Sequence, residues 1–268
     1  MTLYKLGRRH MVGRCFASMV KCCVARSEVV PLHRSITHVG FYIGPVMEPV
    51  IAEIKSSEYV THDVKRFVLT RPKGLKFVPG QGCMVAVDED GWRNRWRPLT
   101  FTSLPTARSL ELVVKIYASH QGVTNRMSTL RKGDRLLLKD VFGTIKYQGP
   151  GTFFAAGAGI TPFLSIFRYL HKNKAIKGNT LVYSNKTSHD VIMDDELAKL
   201  LGKGYLKFYT RESVIGFRDR RIDRDLLVAL VQNFDQHFYL CGPEAFVHDL
   251  ERMLRDLGAS SASLVFES

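Results

Sequence analysis

The sequence predicts two folded domains in series: a small antiparallel β-barrel over residues 47–148, then an α/β domain with a parallel sheet over residues 149–268. Three observations predict it. Short β-branched runs broken by turn signals fill the first stretch. Strand and helix patterns alternate after Gly149-Pro150-Gly151. A glycine turn, Gly157-Ala158-Gly159-Ile160-Thr161-Pro162, falls where the first strand of the second stretch meets its first helix. At 268 residues the chain is long enough for two domains of ordinary size.

In the first stretch, Val50–Val60, His62–Thr70, Gly82–Val87, Pro98–Thr102, Leu110–Tyr117 and Arg135–Lys139 alternate apolar residues or carry β-branched ones, as strands do. Pro72-Lys73-Gly74, Pro79-Gly80, Asp88–Gly91 and Lys132-Gly133-Asp134 separate them as turns. One helix, Thr124–Leu130, interrupts the series. In the second stretch, Thr152–Ala156 reads as a buried strand. Pro162–Lys172 reads as a helix with Phe163, Ile166, Phe167 and Leu170 on one face. Asn179–Ser184 is a second strand, and Asp194–Leu201 a helix with acids in its first turn. Tyr205–Thr210, Asp223–Val231, His237–Cys241, Pro243–Leu257 and Ser263–Glu267 continue the alternation, which implies a Rossmann-like parallel sheet covered on both faces.

Composition is that of a globular protein, with 45% hydrophobic and 24% charged residues. The net charge of +14 favours acidic partners or phosphate-bearing ligands. No DNA- or RNA-binding motif is present, so nucleic acid is not expected as a partner. The five cysteines (Cys15, Cys22, Cys23, Cys83 and Cys241) show no zinc or iron–sulfur spacing, and their scatter fits a reducing compartment. No apolar run approaches the length of a membrane span.

Residues 1–46 stand apart, rich in bases and nearly free of acids. They read as an extension ahead of a true start at Met47, without fixed structure, which leaves the protein cytoplasmic. The alternatives are a mitochondrial or plastid transit peptide, which shares this composition, or a folded addition.

The glycine turn is the first candidate site. Glycine lets the backbone approach a pyrophosphate, and the free N–H groups of the first helical turn point at it. Thr161 fits the N-cap and Pro162 the first helical position. The bland alternative is a tight turn with no ligand. After the second strand, Tyr183-Ser184-Asn185-Lys186-Thr187 lacks the acid that holds an NAD ribose. Ser184, Asn185, Lys186 and Arg211 can serve a 2′-phosphate or simply form a solvated loop, so NADP is favoured slightly and NAD stays open. Cys241-Gly242-Pro243 follows the apolar strand Phe238-Tyr239-Leu240. Its thiol stands either against a nicotinamide or as a buried structural cysteine.

In the first stretch, Arg93, Arg95 and Arg97 would share a strand face, where one can pair bidentately with a diphosphate or where all three guard an edge. Thr100 and Thr102 present hydroxyls to the ring or ribitol oxygens of a flavin. Gly122-Val123-Thr124 opens the one helix of this stretch, a second seat for phosphate. His62, Asp63, His120 and His237 have no metal or triad spacing and read as structural.

Taken in order over residues 48–268, these stretches resemble the ferredoxin–NADP reductase family of flavoproteins, including its bacterial flavodoxin-reductase-like members. That family binds FAD with an Arg-x-Tyr-(Ser/Thr) strand, which Arg97-Pro98-Leu99-Thr100 matches. The resemblance implies that Arg97 holds the diphosphate and Thr100 approaches the reactive ring edge. Lys115-Ile116-Tyr117 and Gly122-Val123-Thr124 match the family's next strand and helix start loosely. Gly157, Gly159 and Pro162 match its nucleotide turn in full. Cys241-Gly242-Pro243 matches its nicotinamide element, with Thr100 and Cys241 at the catalytic junction. Val265-Phe266-Glu267-Ser268 echoes a C-terminal segment whose aromatic lies near the flavin. Leu99 departs from the pattern, because the family places an aromatic there, flat on the isoalloxazine. Leucine keeps apolar contact without the π surface, so weaker flavin retention, or FMN, is in keeping with this chain. The implied activity is NAD(P)H oxidation through FAD. Electrons would pass to a separate acidic acceptor such as ferredoxin or flavodoxin, since the chain carries no cluster or haem motif. An electron-transfer subunit of a larger complex, or a flavin-free binding module, are the alternatives.

Overall fold

The computed structural model describes residues 48–143, 145–213 and 221–266. The basic segment 1–46 and the terminal Glu267 and Ser268, on which expectations were placed, lie outside the described residues. From residue 45 onward the chain is one compact unit.

Six antiparallel strands build its first half: β1 (Val50–Thr61), β2 (Val64–Thr70), β3 (Gly82–Val87), β4 (Arg97–Thr100), β5 (Ser109–Lys115) and β6 (Arg135–Phe142). Their order, β4-β3-β6-β1-β2-β5, leaves β4 and β5 at the two ends. The chain just past β4 joins those ends. Phe101 bridges Leu112, and the Thr102 N–H donates to the Glu111 carbonyl at 2.9 Å. That closure turns the sheet into a barrel, as the turn-punctuated strands predicted. Alternate residues fill it: Ala52, Ile54, Phe67, Leu69, Val85, Leu110, Leu112, Leu136 and Leu138 are fully buried. Helix α1 (Val123–Met127) packs Val123 and Met127 into the same core. It is shorter than predicted, because Ser128 turns its hydroxyl onto the Asn125 carbonyl at 2.6 Å.

The second half alternates without exception: β7 (Gly151–Ala156), α2 (Thr161–Lys172), β8 (Thr180–Asn185), α3 (Asp194–Leu201), β9 (Tyr205–Tyr209), α4 (Arg224–Leu230), β10 (His237–Cys241), α5 (Glu244–Asp256) and β11 (Leu264–Phe266). The strands are parallel in the order β11-β10-β7-β8-β9. β8 and β9 extend to one side of β7, and β10 and β11 to the other. The reversal between β7 and β10 is the crevice where such sheets bind ligands. Neighbouring residues of β7 serve opposite faces. Phe153 stacks on Tyr239 at 4.1 Å and meets Phe163 and Phe167 edge-on at 5.0 and 4.7 Å. Phe154 packs with Phe238, Leu240, Leu250 and Leu254. Each such ring contributes about 1.5–3 kcal/mol on burial.

Helix α2 has two working faces. Phe163, Ile166, Phe167 and Leu170 are buried in the sheet, as predicted. Ser165, Arg168 and Lys172, spaced three and four apart, reach the barrel instead. The Ser165 hydroxyl donates to the Ser103 carbonyl at 3.0 Å, and Lys172 Nζ to Thr106 Oγ1 at 3.2 Å. Arg168 Nη1 donates to the Thr102 carbonyl at 2.7 Å and to Glu111 Oε1 at 2.5 Å. Its Nε and Nη2 grip Glu196 of α3 at 2.6 and 2.7 Å. Arg66 holds the other Glu111 oxygen at 2.7 Å. Around this polar seam, Val64, Val113 and Ile145 from the barrel side join the apolar cluster of α2.

Burial alone would raise the Glu111 carboxyl, but Arg168, Thr102 and Arg66 outweigh it and hold the group below the usual carboxylate range. Glu111 thus stabilises the fold fully above its unfolded pKa of about 4.3, and the contribution is lost as pH falls through the lower folded value. Glu111→Gln should cost ~3 kcal/mol at neutral pH, by removing the buried charge that Arg168 and Arg66 share. Chemical denaturation across pH checks it: the gap between wild type and variant should be constant above about pH 5 and shrink below about pH 4.

Candidate functional site at the switch point

The chain leaves β7 through a 3₁₀ turn, Gly157–Ile160, and α2 begins at Thr161 with Pro162 in its first turn. Gly157 takes a φ of +52° with open space where a Cβ would be, and its carbonyl accepts the Tyr183 hydroxyl at 2.9 Å. Gly159 serves a different need. A Cβ there would fall 2.2 Å from the Cys241 carbonyl oxygen and 2.7 Å from the Gly242 Cα. Gly242 is itself pressed against the Phe246 ring and Ala156. Two motifs far apart in sequence thus form one surface across β7 and β10, with Pro243 capping α5 behind it.

One expectation is corrected here. Thr161 does not cap α2. The 3₁₀ turn shifts the cap to Ile160, and the Thr161 hydroxyl donates to the Ala158 carbonyl at 3.0 Å. No side chain caps this helix start; the Thr161 N–H goes to the Ala158 carbonyl and Pro162 has none, so an anion would meet the glycine turn and the positive end of the helix dipole.

At the end of β8, Ser184 and Asn185 are buried, against the alternative of a solvated loop, while Lys186 is exposed. Asn185 lies beside the Tyr183 hydroxyl, yet neither of its amide atoms makes a sound hydrogen bond. A buried amide left this way costs stability unless a ligand completes it. Beyond it, Thr187 and Asp190 form a reciprocal capping box. The tail of β8 carries no acid, as read, but one arrives from another segment. Glu212, from the segment after β9, reaches back and accepts from the Ser188 N–H, and from the Ser188 hydroxyl at 3.0 Å. The Arg211 N–H donates to the Lys186 carbonyl, so the two strand ends are laced together. The second strand's own tail does not reveal Glu212, because it lies in the segment after β9, which parallel pairing sets alongside β8.

On the barrel, the three arginines do not share a strand face, since residues 91–94 form a turn and β4 starts only at Arg97. Arg93 is committed to Asp88 and Asp90, and Arg95 lies over the Trp92 ring at 4.8 Å. Arg97 is exposed and donates to the adjacent Trp96 carbonyl at 2.8 Å, with no carboxylate partner among the described residues. Its guanidinium is the one of the three left for a diphosphate. Pro98 is exposed, and Leu99 is half-buried against the barrel core. Thr100 ends β4, half-buried opposite Gly82.

Thr102 is the second correction on this side. It is fully buried, with its hydroxyl donating to Glu111 Oε1 at 2.7 Å, so it cannot reach a flavin. Lys115 is engaged with Asp63 at 2.6 Å, and Tyr117 is exposed and stacked on His120 at 5.8 Å. Gly122 caps α1 in an extended conformation, its Cβ side open and no side chain accepting from the helix. Val123 beside it is buried and Thr124 half-buried. Cys241 is half-buried in the α2-side cluster. Cys83 is the inert thiol of the pair, because burial and then Asp140 push it up to about 12. Phe266 packs on the α4–α5 face of the sheet, opposite the face shared with the barrel. His62, Asp63 and Asp190 lie together, but Lys115 already neutralises Asp63 and Asp190 is spent on Thr187.

These residues fit two nucleotide cofactors. The uncapped α2 turn, the open Gly157 and the orphaned Asn185 amide suit a dinucleotide. Arg97, the β4 strand and the uncapped Gly122 suit a flavin diphosphate.

Comparison with known proteins agrees. Residues 51–147 match the oxidoreductase FAD-binding domain, and residues 153–252 the oxidoreductase NAD-binding domain. The chain is 26% identical over 236 residues to NADH-cytochrome b5 reductase 1 of Aspergillus terreus, covering 78% of each. It is 27% identical over 189 residues to NADH oxidoreductase HCR of Escherichia coli K12, covering 68% of this chain and 56% of that one. Its fold matches a ferredoxin NADP+ reductase from Neisseria gonorrhoeae with bound FAD and NADP (TM-score 0.73, 21% identity, 82% of this chain and 98% of that one). It also matches the FAD/NAD binding domain of a nitric oxide dioxygenase from Vibrio cholerae (TM-score 0.72, 23% identity, 81% and 97%).

Gly159→Ala tests the shared surface. The added methyl must push Cys241–Gly242 aside, so nicotinamide nucleotide affinity should fall at least ~10-fold with ~1–3 kcal/mol of stability. Calorimetric binding and thermal melting measure both, while flavin content should stay as in wild type.

Proposed function

Because the chain belongs to the ferredoxin–NADP reductase family of flavoproteins, we propose that it is an NADH-dependent oxidoreductase that delivers electrons to a separate one-electron carrier. The observation carrying this reading is the single surface that Gly157–Pro162 and Cys241–Pro243 make at the switch point, tied through α2 to the strand bearing Arg97 and Thr100. A bound flavin would take a hydride from the reduced nicotinamide and release its electrons one at a time.

The protein's part is binding, orientation and exclusion of water. Arg97 is free to fork onto the flavin diphosphate, and the Gly122 end of α1 offers N–H groups to the same charge. Thr100, at the end of β4, would orient the ring edge. Leu99 adds apolar contact there and packs into the barrel at the same time. The α2 N-terminus would hold the pyrophosphate, and Cys241 and Gly242 would bound the nicotinamide.

Two finer points follow from the charges. A 2′-phosphate held beyond β8 would meet the Glu212 carboxylate on Ser188, which disfavours NADPH. This reverses the slight tilt toward NADP that the second strand alone suggested, and it accords with relatives named as NADH enzymes. The acceptor is read as a small acidic haem carrier of the cytochrome b5 kind. The Aspergillus terreus relative carries that name, and a net charge of +14 would steer an acidic partner. Ferredoxin and flavodoxin, implied by the resemblance alone, become the second choice.

Purified protein reconstituted with FAD should be yellow, bleach anaerobically with NADH faster than with NADPH, and reduce cytochrome b5 faster than ferredoxin or flavodoxin. A colourless product after reconstitution would sink the reading. Arg97→Ala should weaken FAD by about 1.5–3 kcal/mol, roughly ten- to hundredfold, in an equilibrium titration. Glu212→Ser should shift the NADH:NADPH preference toward NADPH by about tenfold in kcat/KM.

A further inference from the structure

We infer that Arg168 is a positioning residue: it holds the flavin-side strand and the nucleotide-side helix at one separation, and hydride-transfer geometry depends on it. This rests on the functional reading above. The geometry is specific. The Thr102 carbonyl, which Arg168 grips at 2.7 Å, lies two residues beyond Thr100 on the same chain segment. Arg168 itself lies two turns beyond Thr161 on the helix that starts at the nucleotide turn. A helix is a stiff rod with a rise of about 1.5 Å per residue, so a shift at Arg168 is carried to the turn.

The guanidinium serves three elements at once. Nη1 reaches the Thr102 carbonyl and Glu111 on the barrel, and Nε with Nη2 takes both oxygens of Glu196 on α3. Arg168 and Glu111 expose only 15% and 9% of their side chains, so water offers no substitute for these bonds. A lysine cannot reproduce the planar fork. Other ties between the halves among the described residues are single contacts: Ser165 to Ser103, Lys172 to Thr106, His62 to Asp190 at 4.0 Å, and the apolar contacts of Val64, Val113 and Ile145. Without Arg168 the two sites would persist, but their spacing would loosen. Hydride donor and acceptor must lie about 3–3.5 Å apart, and a misplacement of about 1 Å can cost on the order of a hundredfold in rate.

The test compares Arg168→Gln, Arg168→Lys and Glu196→Gln, reconstituted with FAD. In Arg168→Gln the limiting rate of anaerobic flavin reduction at saturating NADH should fall at least ~10-fold. Flavin content, NADH affinity and photochemical flavin reduction, which needs no nicotinamide, should stay within about twofold of wild type by the same reasoning. Arg168→Lys should fall between, and it carries the comparison if Arg168→Gln does not fold. Glu196→Gln removes only the arm within the α/β half, so it should lower the melting temperature and leave the limiting rate near wild type. An unchanged limiting rate in Arg168→Gln, or an equal loss in Glu196→Gln, overturns the inference. If wild type itself takes up no flavin, the functional reading fails instead, and hydrogen exchange on the flavin-free chain then decides. Arg168→Gln should quicken exchange in residues 99–104 and 161–166 together, whereas Glu196→Gln should affect only the second segment. Loosening of 99–104 by neither variant refutes the link.

Discussion

The buried ion pair of Arg168 with Glu111 sets the terms for this molecule. Two charges taken out of water are stable only if every donor and lone pair finds a partner. Here Thr102, Arg66 and Glu196 supply them. Such an arrangement tolerates little displacement, because each bond lost leaves a charge stranded in a poor solvent. The apolar seam around it gives the two halves cohesion, and the pair gives them register. That division of labour explains why α2 can bury one face in a sheet of aromatic rings and still present a polar stripe to a barrel.

The nucleotide end follows a different electrostatic logic. Instead of a carboxylate built into the second strand, a carboxylate from the next strand folds back over it. Glu212 satisfies the Ser188 N–H and so places negative charge two residues past the exposed Lys186. The charge balance of that corner therefore belongs to two segments, and neither alone reports it.

Much of this was legible in the residues. Strand and helix positions followed from period and turn chemistry, because β7, β10 and α2 carry strong apolar patterns that tertiary context had no reason to override. The glycine turn was legible too, although the reason for Gly159 was not. It makes room for the Cys241–Gly242 backbone, and only the strand order reveals that these are neighbours. Thr102 and Arg93 failed for a related reason. A hydroxyl or guanidinium in a promising motif looks free until a turn or a strand pairing folds its partner onto it, Glu111 onto Thr102 and Asp88 onto Arg93. The corrections share one cause: turns and strand pairing, rather than the spelling of a motif, decide which partner claims a side chain.

The barrel's closure has one further consequence. From Arg97 to Thr100, β4 is paired through β3 and ends the sheet, and the seam to β5 is made only beyond it, at Phe101. One border of the strand thus turns peptide groups outward, and peptide groups are the same whatever side chains flank them. A ligand read partly through that border is insulated from sequence drift. On this account a leucine at position 99 leaves that border intact, whereas a proline in place of Thr100 would remove one of its N–H groups.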